Sequence, residues 1–119
     1  MITEDYVSFE IAKLLKVKGF RCDTLHYYYD KDGDLFFYAL RVDVGKNEFV
    51  APTLQMAMKW LRNIHGLFIH IDVIREASCW LADIQDIKGD VKVYPVENEF
   101  PNYEEACKAA IRYTLENLV

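Results

Sequence analysis

His70 and Asp72 are the residues whose types and spacing come nearest to chemistry. They lie two apart in a stretch where Leu67, Ile69, Ile71 and Val73 alternate with Phe68, His70 and Asp72. Alternation of period two is strand periodicity, so the imidazole and the carboxylate project from the same face. An aspartate can orient a histidine, and a thiol within reach then becomes a nucleophile. Cys79 is the nearest cysteine along the chain. Its context, Cys-Trp-Leu-Ala, is apolar, which favours a buried, protonated and inert thiol. No glycine-rich turn or paired helix terminus supplies an oxyanion hole. The pair therefore reads as a polar patch on a strand, and no catalytic residue is assigned.

Metal and phosphate chemistry fail on spacing. His26, His65, His70 and the three cysteines show neither the i, i+4 pair of a helical site nor a CxxC. Asp30-Lys31-Asp32-Gly33-Asp34 resembles a calcium loop in composition. An EF-hand needs its glycine sixth and a glutamate twelfth, whereas here the glycine is fourth and Arg41 is twelfth. The stretch reads instead as a hairpin tip, where Asp and Gly tolerate positive φ. Five glycines, none clustered, exclude a phosphate-cradling loop, and no cofactor is expected.

Three amphipathic helices must position these residues. The first ends in LLKVKGF, with Ile11, Leu14, Leu15 and Lys18 on one stripe, Ser8 or Thr3 as N-cap and Gly19 past its end. The second follows Pro52, is capped by Thr53 and stopped by Gly66. Leu54, Ala57, Met58, Leu61 and Ile64 form its buried stripe, with Met56 and Trp60 widening it to a second flank. A cationic His65 next to Gly66 suits the negative end of that helix's dipole. The third is capped by Asn102 with Glu105 at the third position, the capping-box pattern. It buries Cys107, Ala110, Ile111, Thr114 and Leu118, and Glu104 pairs with Lys108 one turn on.

Strands fill the intervals. Leu25–Tyr29 and Leu35–Val44 flank the Asp-Gly turn as a hairpin, with Leu40, Val42 and Val44 alternating against Arg41 and Asp43. Leu67–Val73 is a third strand. Cys79–Ile87 fits either period and reads as a strand because turn residues bound it, Lys88-Gly89-Asp90 among them. Val91–Val96 pairs back onto it, with Pro95 marking an end or an edge. The expectation is one α+β domain over residues 1–119. It consists of an antiparallel sheet of four to five strands and three helices, in the order αββ–αββ(β)–α. A faint echo between the Ser8–Phe20 and Thr53–Leu67 blocks suggests an αββ pseudo-repeat.

Tyr27-Tyr28-Tyr29 and Phe36-Phe37-Tyr38 must place aromatics on both faces of the hairpin. One face joins the core. The other is expected to show His26, Tyr28, Phe37 and Arg41, continued on the third strand by Phe68, His70 and Asp72. An aromatic face with a few polar groups suits a protein partner or a small planar ligand.

Composition narrows the classes. A chain of 119 residues with 52% hydrophobic content can build a core without disulfides. A net charge of −5 repels phosphate backbones and anionic lipid, which argues against nucleic-acid and membrane roles. From residue 53 onward the helix–three strands–helix order matches a double-stranded RNA module. The last helix, however, opens with Asn-Tyr-Glu-Glu where such modules need cations. No apolar run reaches the ~20 residues of a span, and the N-terminus lacks a basic-then-apolar signal. An odd cysteine count suits reduced thiols in the cytoplasm.

SFEIAKLLKVKGF, APTLQMAMKWLRNIHG and PNYEEACKAAIRYTLENLV resemble a family of short proteins encoded by gut Bacteroidales genomes and their phages or mobile elements. The likeness implies a small intracellular accessory protein and carries over no activity or site. The expected function is thus a non-catalytic binding module acting through the aromatic face. It is expected to work as a homo-oligomer or on a host or phage protein. The alternative is a small enzyme or small-molecule sequestrant with a pocket near His70 and Asp72.

Overall fold

The computed structural model describes residues 2–21, 27–37, 47–90 and 92–119. Along the chain run α1 (Phe9–Val17), β1 (Tyr27–Tyr29), β2 (Leu35–Phe37), β3 (Phe49–Val50), α2 (Leu54–His65), β4 (Leu67–Ile74), β5 (Cys79–Asp86), β6 (Lys92–Pro95) and α3 (Tyr103–Asn117). The class is α+β, with three helices among the described residues.

Each helix starts where a short polar side chain satisfies an orphan amide. Ser8 Oγ accepts from the Ile11 amide at 3.2 Å, so α1 begins after Ser8 and not at Thr3. Thr53 Oγ1 accepts from the Met56 amide at 3.1 Å, and Asn102 Oδ1 from the Glu105 amide at 2.9 Å. Glu105, rather than Glu104, pairs with Lys108, at 3.5 Å. The stripes are buried largely as their spacing requires. In α2 the buried stripe ends at Leu61, and Ile64 is 65% exposed. Trp60 does serve a second flank, its ring edge-on to Phe20 at 5.4 Å. In α3 the buried set gains Ala106 and Leu115, while Leu118 is half-buried.

Among the described residues the strands form two three-stranded antiparallel sheets, ordered β2-β1-β3 and β4-β5-β6, instead of one sheet of four to five. The break falls at Pro52. Ala51 donates its amide to the Tyr27 carbonyl at 2.8 Å, continuing the ladder from β3. Pro52 has no N–H to extend it, and Thr53 already caps α2. The first strand is central in one sheet and the second in the other, so strand topology does not reproduce the αββ echo. The alternating Leu40–Val44 stretch lies outside the described residues.

The hairpin tip is a hydrogen-bonded turn. Asp30 Oδ1 accepts from the Asp32 and Asp34 amides at 2.9 and 3.0 Å, which occupies the carboxylate with backbone donors. The other hairpin is longer. β4 and β5 pair over their whole length, from Leu67↔Asp86 to Ile74↔Cys79, and β6 adds to β5, with Pro95 ending that edge strand.

The core lies between this second sheet and the helices. Leu67 and Ile69 of β4 and Ala82 and Ile84 of β5 meet Leu54, Ala57, Met58 and Leu61 of α2 and Ala106, Cys107, Ala110 and Ile111 of α3. Directly paired residues share a face, so these positions all point inward while Phe68, His70, Asp72, Leu81 and Asp83 point outward. Leu61 is wholly buried at the centre of this layer. Leu61→Ala should destabilise the fold by about 2–5 kcal/mol. In urea titration this appears as a lower midpoint with an unchanged slope.

Candidate functional site

The five described members of the expected site do not converge on one surface. His26 and Arg41 lie outside the described residues. Tyr28 is 2% exposed and Phe37 56% exposed. Their separation follows from the register. Tyr28 pairs with Phe36, whereas Phe37 pairs with Tyr27, and partners in an antiparallel ladder share a face. Tyr28 and Phe37 are therefore on opposite sides of the first sheet. Phe37 continues an aromatic ladder instead: its ring is 5.2 Å from that of Tyr27, which in turn lies 4.6 Å from Tyr6. Phe68, His70 and Asp72 belong to the other sheet, on its outer face.

On that outer face the partner of His70 is Asp83, not Asp72. The two stand opposite each other in the ladder, and His70 Nδ1 lies 3.1 Å from Asp83 Oδ2. The side chains are 43% and 26% exposed, so water screens the pair, and its contribution to stability is small. Gln85 Nε2 donates to Asp83 Oδ1 at 3.3 Å, holding the carboxylate from the other side. Asp72 turns onto its own strand, Oδ1 accepting from the Val73 amide at 2.9 Å. Asp83 and Gln85 are invisible to a search for sequence neighbours of His70, since only the hairpin register joins them.

The thiols take no part. Cys79 is four residues from Asp83 along β5, roughly 13 Å at the rise of a strand. It is buried, and burial together with Glu99 raises its pKa. Cys107 is fully buried under α3, and burial is the main reason its thiol is pushed up to about 11. Both are therefore protonated and unreactive near neutral pH. Among the described residues no group of three or more His, Cys, Asp or Glu side chains could hold a metal ion.

A cavity of about 260 Å³ opens beside His70. Its walls are four consecutive residues of β4, Phe68–Ile71, together with Gln55, Met58 and Arg62 of α2 and Tyr103 of α3. Gln55 Nε2 donates to Tyr103 Oη at 3.1 Å across one end. The volume falls at or below the small end of ligand sites. Asp72 does not line it.

At the other end of α2, His65 corrects the expectation of a cation at the dipole's negative end. Its ring lies edge-on to Trp60 at 4.6 Å, and Nε2 is buried without a hydrogen-bond partner among the described residues. Burial, and secondly the charge of Lys88, lower its pKa. Desolvation here outweighs the dipole, so the neutral ring is the folded form.

No protein-family model, curated protein or solved structure matches the chain. Among the described residues no helix is long and apolar enough to cross a membrane.

The sign of the His65 effect on stability follows from linkage. The unfolded chain binds this proton more readily than the folded one, so stability is intact above the ordinary value of 6.5 and declines as pH falls below it. The urea midpoint should be lower at about pH 5.5 than at about pH 7.5, and His65→Phe should flatten that difference.

Proposed function

We propose that this chain is a non-catalytic protein-binding module, an accessory protein of the cytoplasm, that docks on a partner through the open face of the β4–β5–β6 sheet. The supporting observation is that face itself. α2 and α3 pack on the opposite side, and among the described residues no helix covers this one. It mixes half-buried Phe68 and Leu81 with Val93, which is 55% exposed, around the His70–Asp83–Gln85 cluster. An apolar centre with a few polar groups is the make-up of a protein interface. The partner is a second copy of the chain or a host or phage protein, in keeping with the resemblance to short Bacteroidales and phage-encoded proteins.

The aromatic face of the first sheet does not carry this reading, because a polar residue at Tyr28 would disrupt buried packing. Leu81→Lys combined with Val93→Lys tests the open face of the second sheet. The double variant should keep the melting temperature within a few degrees and lose the partner captured by the unmodified protein from native-host lysate. It should also lose any self-association seen by sedimentation. Unchanged capture and unchanged mass would remove this face from consideration.

A second reading rests on the cavity beside His70, as a small-molecule sequestrant. A bound metabolite should raise the melting temperature by mass action, and His70→Ala should abolish the shift. A screen of metabolites and nucleotides without any shift leaves the binding-module reading alone.

A further inference from the structure

β4 is an edge strand of eight residues, Leu67–Ile74, with β5 on one side and no strand on the other among the described residues. The direction of its backbone groups follows from bonds elsewhere in the ladder. Trp80 gives its amide to the Phe100 carbonyl and takes the Phe100 amide, at 2.8 and 2.9 Å, both on the side away from β4. Trp80 and its opposite residue, Val73, are thus a pair without mutual hydrogen bonds, and such pairs alternate along an antiparallel ladder. The amides and carbonyls of Ile69, Ile71 and Val73 therefore point out of the sheet, without a strand partner among the described residues. Ile87 donating to the Gly66 carbonyl at 3.0 Å fits the same alternation.

Exposed edges are usually blunted by lysine, proline or a bulge. LFIHIDVI contains no lysine and no proline, and pairs with β5 without interruption. The 260 Å³ cavity runs along this edge, which is why four consecutive β4 residues line it. Its far wall is one stripe of α2, Gln55, Met58 and Arg62, at spacings of three and four. A strand laid between them would have β4 as its ladder partner and α2 as its floor.

Charge selects the occupant. The chain carries 19 acidic residues and a net charge of −5, yet none falls between Glu48 and Asp72. That acid-free stretch holds both α2 and the cavity-lining part of β4. The charged side chains of α2 are Lys59 and Arg62, and Arg62 is exposed without an ion pair among the described residues. A second copy added edge to edge about a two-fold axis would bring two basic helices together, which is unfavourable.

We infer that the free edge of β4 and the Gln55–Met58–Arg62 stripe of α2 form a docking groove for an extended acidic segment of a partner protein, which joins the sheet as a further strand. The inference deepens the reading of the chain as a protein-binding module. Backbone pairing to Ile69, Ile71 and Val73 supplies affinity, and alternate side chains supply specificity. Met58 and Arg62 are about 6 Å apart along the helix, close to the ~6.6 Å between alternate strand residues. The preferred segment thus carries an apolar side chain for Met58 and a carboxylate for Arg62, two positions apart.

Selection from a displayed library of random peptides of about eight residues, matching the length of β4, tests this directly. Selected peptides should carry an acidic residue two positions from an apolar one, and should shift the backbone amide resonances of Leu67–Ile74. Arg62→Glu, an exposed reversal of charge, should weaken them about tenfold or more. Ile71→Pro removes an outward amide together with a half-buried side chain that packs on the core, so it should abolish binding, and unshifted amide resonances of β5 check that the β4–β5 ladder is kept. Leu81→Lys with Val93→Lys should leave peptide affinity unchanged, so the groove and the open face are read separately. The inference is overturned if no peptide is selected, or if selected peptides bind Arg62→Glu and Ile71→Pro as tightly as the unmodified protein. It is equally overturned if sedimentation shows a dimer that Ile71→Pro dissociates, for a second copy then occupies the edge. Partner capture that persists in Arg62→Glu but fails in the Leu81/Val93 variant would sink the groove and keep the open face.

Discussion

One residue separates α2 from β4, and the second half of the molecule is organised around it. Gly66 sits at φ 64°, in the left-handed region, and performs two tasks with one peptide unit. Its amide donates to the Leu61 carbonyl, closing the helix. Its carbonyl accepts from the Ile87 amide, opening the β4–β5 ladder. A Cβ here would be strained by that φ and would press on the Lys88 side chain, so glycine meets both demands. Because the handover is so short, α2 stays beside the strand it leads into. The groove between them follows from that.

The same junction sets which residues face inward. With Leu67 directed to the core, period-two alternation commits Ile69 to the core and Phe68, His70 and Asp72 to the outer face. Pairing with β5 then brings Ala82 and Ile84 under α3 and stands Asp83 against His70. One register thus makes the core, the polar cluster and the outward-pointing amides of the free edge together. A slip of one residue would exchange the two faces, so burial of Ile69 and Ile84 protects the arrangement of the outer surface as well.

Much of this architecture is legible in the residues. Ser8, Thr53 and Asn102 announce helix starts because short polar side chains before apolar stripes satisfy orphan amides. The alternation of Leu67–Val73 announces a strand with one buried face, and Cys79–Ile87 sorts as a strand through the turns around it. His65 is where local reasoning fails. A dipole argument sees a cation at a helix end, whereas the folded chain buries the ring against Trp60 and near Lys88, residues five before and 23 after it. Tyr28 and Phe37 part company for a related reason. Aromatic count is a property of the strands, but Tyr28 and Phe37 divide between two faces because their partners are Phe36 and Tyr27.

The sequence by itself therefore determined the class, the caps and the three helices, all of which depend on residues within a turn or two of one another. The tertiary structure decided the rest. Among the described residues two sheets replace one, because Pro52 ends a ladder and Thr53 starts a helix. His70 takes Asp83 in place of Asp72, and among the described residues β4 has no strand on the edge beside Gln55, Met58 and Arg62 of α2. These outcomes depend on which strand lies next to which. Strand adjacency is set by burial of whole faces rather than by any local pattern, so it becomes visible only when the chain has folded.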